Sequence, residues 1–411
     1  MLKNNQFDHH RVRGDSSVRP IDRFCDLVRA EASLREVLRK PDDTEQFLAP
    51  VLALARERGI ALDADDVRTA MRGRLPGAPT LLDDGDRETP LPPQGWLPVE
   101  AFWRHGQLYL QWSFFGSQRL LQPFFEGDVQ HAMFKPFNRL IRYVTPISHL
   151  AGSRQVRSTL QPKGFIFHMS RCGSTLVSQM LATLACNVVV SEASPIDAVV
   201  RAPQMLRTLS DDQHVHWLRC IVGAFGQCRA GNEKNYFVKL DSWHTLALPL
   251  FQRAFPDVPW IFIYRDPVEV LVSQLRTPGW QMVPGAVDPI LLGDPSSDSA
   301  TSPQIYRAQV LARVCEPVLT HYGAGKSLLI NYRQLPEAVW TAMLPHFGVV
   351  SSDQDRNAMA QVARYDAKTP SFEFTPDSEA KQREATASVR AIANERIGEI
   401  YRRLEVLRSS P

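Results

Sequence analysis

From residue 164 onward the chain sets short apolar runs among helical patterns. GFIFH (164–168), NVVVS (187–191), NYFVKL (235–240), VPWIFIY (258–264) and KSLLIN (326–331) are each brief and nearly continuous. Strands buried on both faces of a parallel sheet have this character. Between the runs apolar residues return at helical spacing, as at Val215, Leu218, Ile221 and Val222. Strands alternating with helices predict a three-layer α/β/α domain with a mainly parallel sheet over 156–411. Ligands of such sheets sit beyond the carboxyl ends of the strands, so chemistry is sought just after each run.

The first part of the chain is patterned differently. Residues 1–20 are polar and aperiodic and read as a mobile arm. Ile21, Phe24, Leu27 and Val28, then Phe47, Val51, Leu52 and Ala55, follow helical spacing; Gly59 suits a helix end, and Asp63 with Asp66 suits the start of another. A small helical domain is predicted over 21–75. Residues 76–98 hold six prolines among Asp and Gly and read as a linker. In the segment 99–155, Leu108, Leu110, Trp112 and Phe114 alternate with Tyr109, Gln111 and Ser113, predicting a strand with one buried face. The aromatic stretch 124–143 is expected to pack on the main domain, either as core or as a wall of an acceptor pocket.

Composition narrows the function classes. Over 411 residues, 44% hydrophobic and 22% charged residues are ordinary for a globular chain. A net charge of +3 gives no ground for a nucleic-acid partner. No apolar run reaches the roughly 18–20 residues of a membrane span, and the N-terminus is too polar for a signal-peptide core. A cytoplasmic protein is expected. The six cysteines have no metal-ligand spacing, so neither a metal site nor a disulfide framework is expected.

The first apolar run ends in His168-Met169-Ser170-Arg171-Cys172-Gly173-Ser174, and a helix follows at Thr175–Leu184 with Leu176, Val177, Met180, Leu181 and Leu184 on one face. Loop amides and the positive end of that helix converge on one point, which suits an anion. The usual nucleoside-triphosphate loop, G-x-x-x-x-G-K-[ST], carries a lysine after its second glycine. Here Ser174 follows Gly173, His168 stands where the first glycine belongs, and the cation is Arg171.

The run R-x-G-[ST]-[ST] resembles the phosphosulfate loop of sulfotransferases, a P-loop nucleotide-binding fold whose donor is 3'-phosphoadenosine 5'-phosphosulfate (PAPS). The resemblance implies that Arg171, Cys172, Gly173, Ser174 and Thr175 bind the donor. Arg265 directly after VPWIFIY, with Ser273 eight residues later, resembles the family's 3'-phosphate grip. A guanidinium fork and a hydroxyl suit a phosphate monoester. Asn331-Tyr332-Arg333-Gln334-Leu335 resembles the family's Y-E-D-L segment, although Arg333 and Gln334 depart from its acidic pair. This likeness spans about residues 160–350. Separately, the 21–75 helices resemble the helical leader domains of ribosomally made natural-product peptides and nitrogen-fixation-associated proteins; a generic helical cap reads equally well.

The resemblance further implies a base that takes the acceptor proton. Glu192, 19 residues after Gly173, stands where the tyrosylprotein branch has a catalytic glutamate. Asp241 stands in place of the histidine of the K-T-H run of the cytosolic branch, and His244 lies three residues beyond. Glu192 is preferred, then Asp241, then His244. Lys239 is expected to bridge donor and acceptor, and Lys368 and Lys381 to close over the 3'-phosphate. The Pro/Gly/Ser-rich segment 276–304 reads as a gate. The expected enzyme moves a sulfonate from PAPS to a hydroxyl of a small metabolite, natural-product intermediate or peptide, and releases adenosine 3',5'-bisphosphate (PAP) without a metal. Two rivals stand: a P-loop kinase using ATP and magnesium, and a non-catalytic nucleotide- or peptide-binding protein. The acceptor and the oligomeric state are not legible.

Overall fold

The computed structural model describes residues 18–72, 88–151, 159–285, 302–323 and 326–409. Most of the expected arm (1–17), much of the expected linker (76–87) and the centre of the expected gate (286–301) lie outside the described residues. The chain forms two compact units, one of residues 1–83 and 133–142, the other of 84–132 and 143–411.

In the first unit, α1 (Pro20–Ala30), α2 (Ala32–Leu38), α3 (Thr44–Glu57) and α4 (Ala64–Met71) bury Phe24, Val28, Leu38, Phe47, Val51 and Val67. Phe24, Val28, Phe47 and Val51 are positions the periodicity marks, Leu38 and Val67 add to them, and Leu27 and Leu52, also marked, are half-buried. The start of α4 is set by Asp63 and Asp66, each accepting the other's amide in a capping box. Gly59 takes φ 65° just past α3, where a left-handed residue ends a helix. Residues 133–142 return to this unit: the Leu140 carbonyl accepts from Cys25, and the Arg142 carbonyl accepts from Arg29 at 3.0 Å.

The second unit holds both sheets. β1 (Trp96–Arg104), β2 (Gln107–Phe114) and β3 (Tyr143–Pro146) pair antiparallel in that order. The expected one-faced alternation holds at Leu108 and Leu110 but stops at Gln111 and Ser113, which are buried as well, while Phe114 is half-buried. Both faces of this strand's second half are covered.

The main sheet is parallel, built from β4 (Gly164–His168), β5 (Asn187–Ser191), β6 (Asn235–Lys239), β7 (Trp260–Tyr264) and β8 (Ser327–Asn331) in the order β5-β6-β4-β7-β8. Every residue of β4, β5 and β7 is buried, which is why their sequences are continuously apolar. After β4 the chain moves outward to β5, then returns through β6 to the other side for β7 and β8. With right-handed crossovers this change of direction puts helices on both faces and leaves a crevice beyond the carboxyl end of β4. Helices α5 (Ser174–Thr183), α6 (Ser194–Val200), α7 (Asp211–Phe225), α8 (Pro267–Arg276) and α9 (Pro303–His321) fill the connections. No helix among the described residues is long and apolar enough to cross a membrane.

At its first residue β4 runs so close to the ring of Phe347 that a Cβ on Gly164 would lie 2.2 Å from Cε1. Gly164→Ala is expected to cost about 1–3 kcal/mol through this overpacking. In a double-mutant denaturation cycle with Phe347→Leu, the alanine should become nearly neutral; strict additivity would refute the contact.

Candidate functional site

Backbone strain concentrates at the carboxyl ends of the central strands. Four non-glycine residues among those described have left-handed φ, and three of them stand here: Ser170 (76°), Arg171 (52°) and Glu192 (52°). Each such conformation costs on the order of 1–3 kcal/mol and is kept only where the surroundings impose it. Gly173 joins them at φ 87°, and a Cβ there would lie 2.6 Å from Leu335 and 3.0 Å from the Tyr332 ring. The glycine therefore makes room for the Asn331–Leu335 segment. The N-cap Gly173 has no side chain to cap α5, and the first amides of that helix have no intrahelical partner.

The loop and the Arg265 region face one cavity of about 610 Å³. Ser170–Thr175 with the start of α5 line it, and so do Arg265 and Ser273. The two anion grips expected from the sequence thus share a cleft. Within the loop, Arg171 gives an N–H to the Thr277 carbonyl at 2.5 Å, and Gln274 donates to Ser170 Oγ at 3.1 Å. Cys172 departs from the expected donor-binding role in its side chain. Its thiol is fully buried, donates to the Ile263 carbonyl at 3.1 Å and is pushed up to about 11 by burial. It ties the loop to β7, leaving only its backbone for a ligand.

Arg265 is buried and engaged through Nε and Nη2. Its Nε donates to Glu269 Oε2 at 2.6 Å, and Nη2 to Asp377 Oδ1 at 2.7 Å and Ser378 Oγ at 3.0 Å; its guanidinium lies 4.0 Å from the Tyr332 ring centre. Asp377 Oδ2 also meets the Lys381 ammonium at 2.6 Å. The side chain of Glu269 is 4% exposed and that of Asp377 38%, so an incoming phosphate would displace Asp377 rather than Glu269.

The four residues expected to act on the acceptor separate into two clusters. Lys239 is wholly buried and ion-paired to Glu192. It does not reach out to bridge donor and acceptor as the sequence led us to expect. Glu192 Oε1 also lies 3.3 Å from Nε2 of His168. His168 Nδ1 accepts the Ser170 amide at 3.1 Å, which leaves the ring proton on Nε2, facing the Leu240 carbonyl at 2.8 Å. Burial lowers the His168 pKa and keeps the ring neutral. Burial pushes Glu192 up, but the Lys239 ammonium and the His168 ring outweigh it and hold the carboxyl well below the usual range. An acid held that low is a poor proton acceptor.

The second cluster lies deeper. His244 is 1% exposed, with Nε2 2.9 Å from Asp197 Oδ1 and 3.8 Å from Asp241 Oδ2. Trp243 Nε1 donates to the same Asp197 oxygen at 2.7 Å. Burial disfavours the charged ring, yet Asp197 and Asp241 raise the His244 pKa, and Asp197 is lowered in return. His244 therefore supports Asp241 from below instead of entering the cleft. Asp241 lines the cavity, and burial pushes it up to about 8, with Glu192 and Asp197 adding to the effect against His244 and Lys239. Among the described residues, ligand atoms of Asp197, Asp241 and His244 all fall within 4.8 Å of one another, close enough for a cation. Asp197 Oδ1, which takes the Trp243 Nε1–H and faces His244 Nε2, makes the trio a hydrogen-bonded network first.

His168 and Asp197 were not singled out by sequence. A buried histidine in place of the loop's first glycine was a readable signal. Asp197, an aspartate in the first turn of α6, looks like ordinary helix-start chemistry and carried none.

No protein-family description matches the chain, and no curated protein matches it. Solved structures do. The sulfotransferase domain from the curacin biosynthetic pathway is 16% identical with a TM-score of 0.36, over 58% of this chain and 98% of that one. The sulfotransferase domain from the Synechococcus PCC 7002 olefin synthase is 16% identical with a TM-score of 0.36, over 62% and 96%. A sulfotransferase from Alicyclobacillus acidocaldarius is 14% identical with a TM-score of 0.37, over 61% and 97%. The likeness is one of fold.

Replacing Lys239 leaves Glu192 as a buried carboxylate without its cation. Lys239→Met is expected to cost about 3–5 kcal/mol at neutral pH, and Glu192→Gln added to it should restore most of the loss. With its partner gone, the Glu192 pKa rises, so the deficit should shrink as pH is lowered toward that raised value. Urea unfolding at pH 5 and pH 7.5 measures both. A deficit equal at the two pH values would refute the pairing.

Proposed function

We propose that this protein is a sulfotransferase that moves a sulfonate group from PAPS to a hydroxyl acceptor and releases PAP. The observation that carries this reading is one cavity lined both by a helix start with Arg171 and by Arg265 with Ser273. Two phosphate-type grips lining one cleft fit an adenylate with two charged groups. Its volume falls in the range of roughly 300–1,000 Å³ usual for such ligands.

Asp241 is the base in this reading, ahead of Glu192. Its carboxylate takes the acceptor's hydroxyl proton while the acceptor oxygen bonds to sulfur. The bond from sulfur to the bridging oxygen breaks in line, and that oxygen leaves with its electron pair on the phosphate of PAP. Arg171 and the first amides of α5 stabilise the charge that develops there. Ser174 and Thr175 supply hydroxyls at the same helix start. Phe124, Trp243 and Trp280 line the cavity as well and suit an apolar or aromatic alcohol; a peptide or natural-product hydroxyl meets that description.

Thermal unfolding with nucleotides tests the donor. PAP should raise the midpoint by several degrees, whereas ATP with magnesium should leave it unchanged; the reverse result would favour a kinase built around Asp241 and end this reading.

Incubating labelled PAPS with acceptor pools supplies the assay for the base. Asp241→Asn should lower kcat by about 10²–10⁴. Because Asp241 is raised to about 8, the fraction able to accept a proton grows with pH, so wild-type kcat/KM should climb from about pH 6 to pH 9 and then level. A profile flat over that interval, or full activity in the variant, would exclude Asp241.

A further inference from the structure

Two groups of charges line the cavity and differ in balance. Around Arg265, Arg265 and Lys381 face two carboxylates, Glu269 and Asp377. Around the loop, Lys239 is matched by Glu192, but Arg171 meets no carboxylate at ion-pair distance among the described residues and donates to a carbonyl. The loop also lacks the lysine that would follow Gly173 in the usual nucleotide-binding sequence.

Lys368 stands with the loop group. It lines the same cavity, its ammonium 5.5 Å from the centre of the Phe124 ring, while Lys239 lies 4.9 Å from that ring. No carboxylate comes within ion-pair distance of it among the described residues. Charges near it include Arg171 from the loop, Lys239 from β6, Glu192 after β5 and Asp366 from its own turn. Lys381 is instead ion-paired to Asp377, which also holds Arg265. The two lysines expected together over the 3'-phosphate therefore belong to different groups of charges.

The turn that presents Lys368 is built. Asp366 Oδ1 accepts from the amides of Lys368 and Thr369 at 2.9 and 2.8 Å and from the Thr369 hydroxyl at 2.8 Å. Backbone bonds from Asp366 to Phe372 and from Phe374 to Arg364, both 2.8 Å, close the segment.

We propose that Lys368 supplies the charge the loop lacks, binding with Arg171 the anionic group at the start of α5, which in the sulfotransferase reading is the 5'-phosphosulfate of the donor. The proposal rests on that reading for the ligand's identity. Lys368 is exposed overall, yet crowding around its ammonium and the positive neighbours Arg171 and Lys239 lower it to about 8. An ammonium raised toward its ordinary value by an anion is a favourable partner for one.

Titration calorimetry with adenosine 5'-monophosphate, adenosine 3'-monophosphate and PAP tests it on wild type, Lys368→Met, Lys368→Arg and Lys381→Met. Lys368→Met should weaken the 5'-monophosphate and PAP about tenfold and leave the 3'-monophosphate unchanged; Lys381→Met should show the opposite selectivity. Lys368→Arg should retain binding. Wild-type affinity for the 5'-monophosphate should fall as pH rises through 8, and that fall should vanish in Lys368→Arg. Equal losses for both monophosphates, or a loss confined to the 3' compound, would overturn the proposal. Should no adenylate bind wild type, the sulfotransferase reading fails by itself. Inorganic phosphate then decides: affinity lost in Lys368→Met supports the role of Lys368, and affinity unchanged or undetectable in wild type refutes it.

Discussion

A fully buried ammonium beneath an open cavity has to be neutralised, and in this protein the ion pair of Lys239 with Glu192 does so. Burying either charge alone costs several kcal/mol, so the pair sets the position of everything above it. It holds Glu192 in a left-handed backbone that the residue would not adopt by itself. It also brings the Glu192 carboxylate against the neutral His168 ring, whose other nitrogen accepts the Ser170 amide at the start of the anion loop. Loop geometry and the charge of the cavity floor are thereby coupled.

The same pairing separates the carboxylates by chemistry. Glu192, with an ammonium and a ring N–H on one oxygen, stays ionised and unreactive toward protons. Asp241, buried beside other negative charge and only partly offset by His244, holds its proton near neutrality. Two carboxylates lining one cavity with pKa values pushed in opposite directions are how proteins assign acid and base work. The Asp197 and His244 pair beneath Asp241 is part of that difference and not a bystander to it.

Much of the fold could be read from the chain. All five parallel strands fall on the apolar runs, β4 and β5 with their boundaries unchanged and the others shortened at one end. The capping box at Asp63 and Asp66 and the turn at Gly59 were likewise local features. The antiparallel strand β2 was half legible: periodicity marks one buried face, but burial of Gln111 and Ser113 depends on what covers the other. In the site, Arg171, Gly173, Arg265 and Ser273 meet in one cavity, as their places after strands β4 and β7 implied. Cys172 turned inward because the thiol of a tight loop found the Ile263 carbonyl, a contact across 91 residues.

By itself the sequence determined where strands, helix starts and anion-binding loops form, because those depend on residues within a few positions of each other. Tertiary structure alone decided which charges meet. Lys239 and Glu192 are 47 residues apart, His244 and Asp197 also 47, and Arg265 and Asp377 112. No local pattern encodes such partners. Coulomb energy and desolvation act through space, and a titratable group acquires its role only when folding has chosen its neighbours.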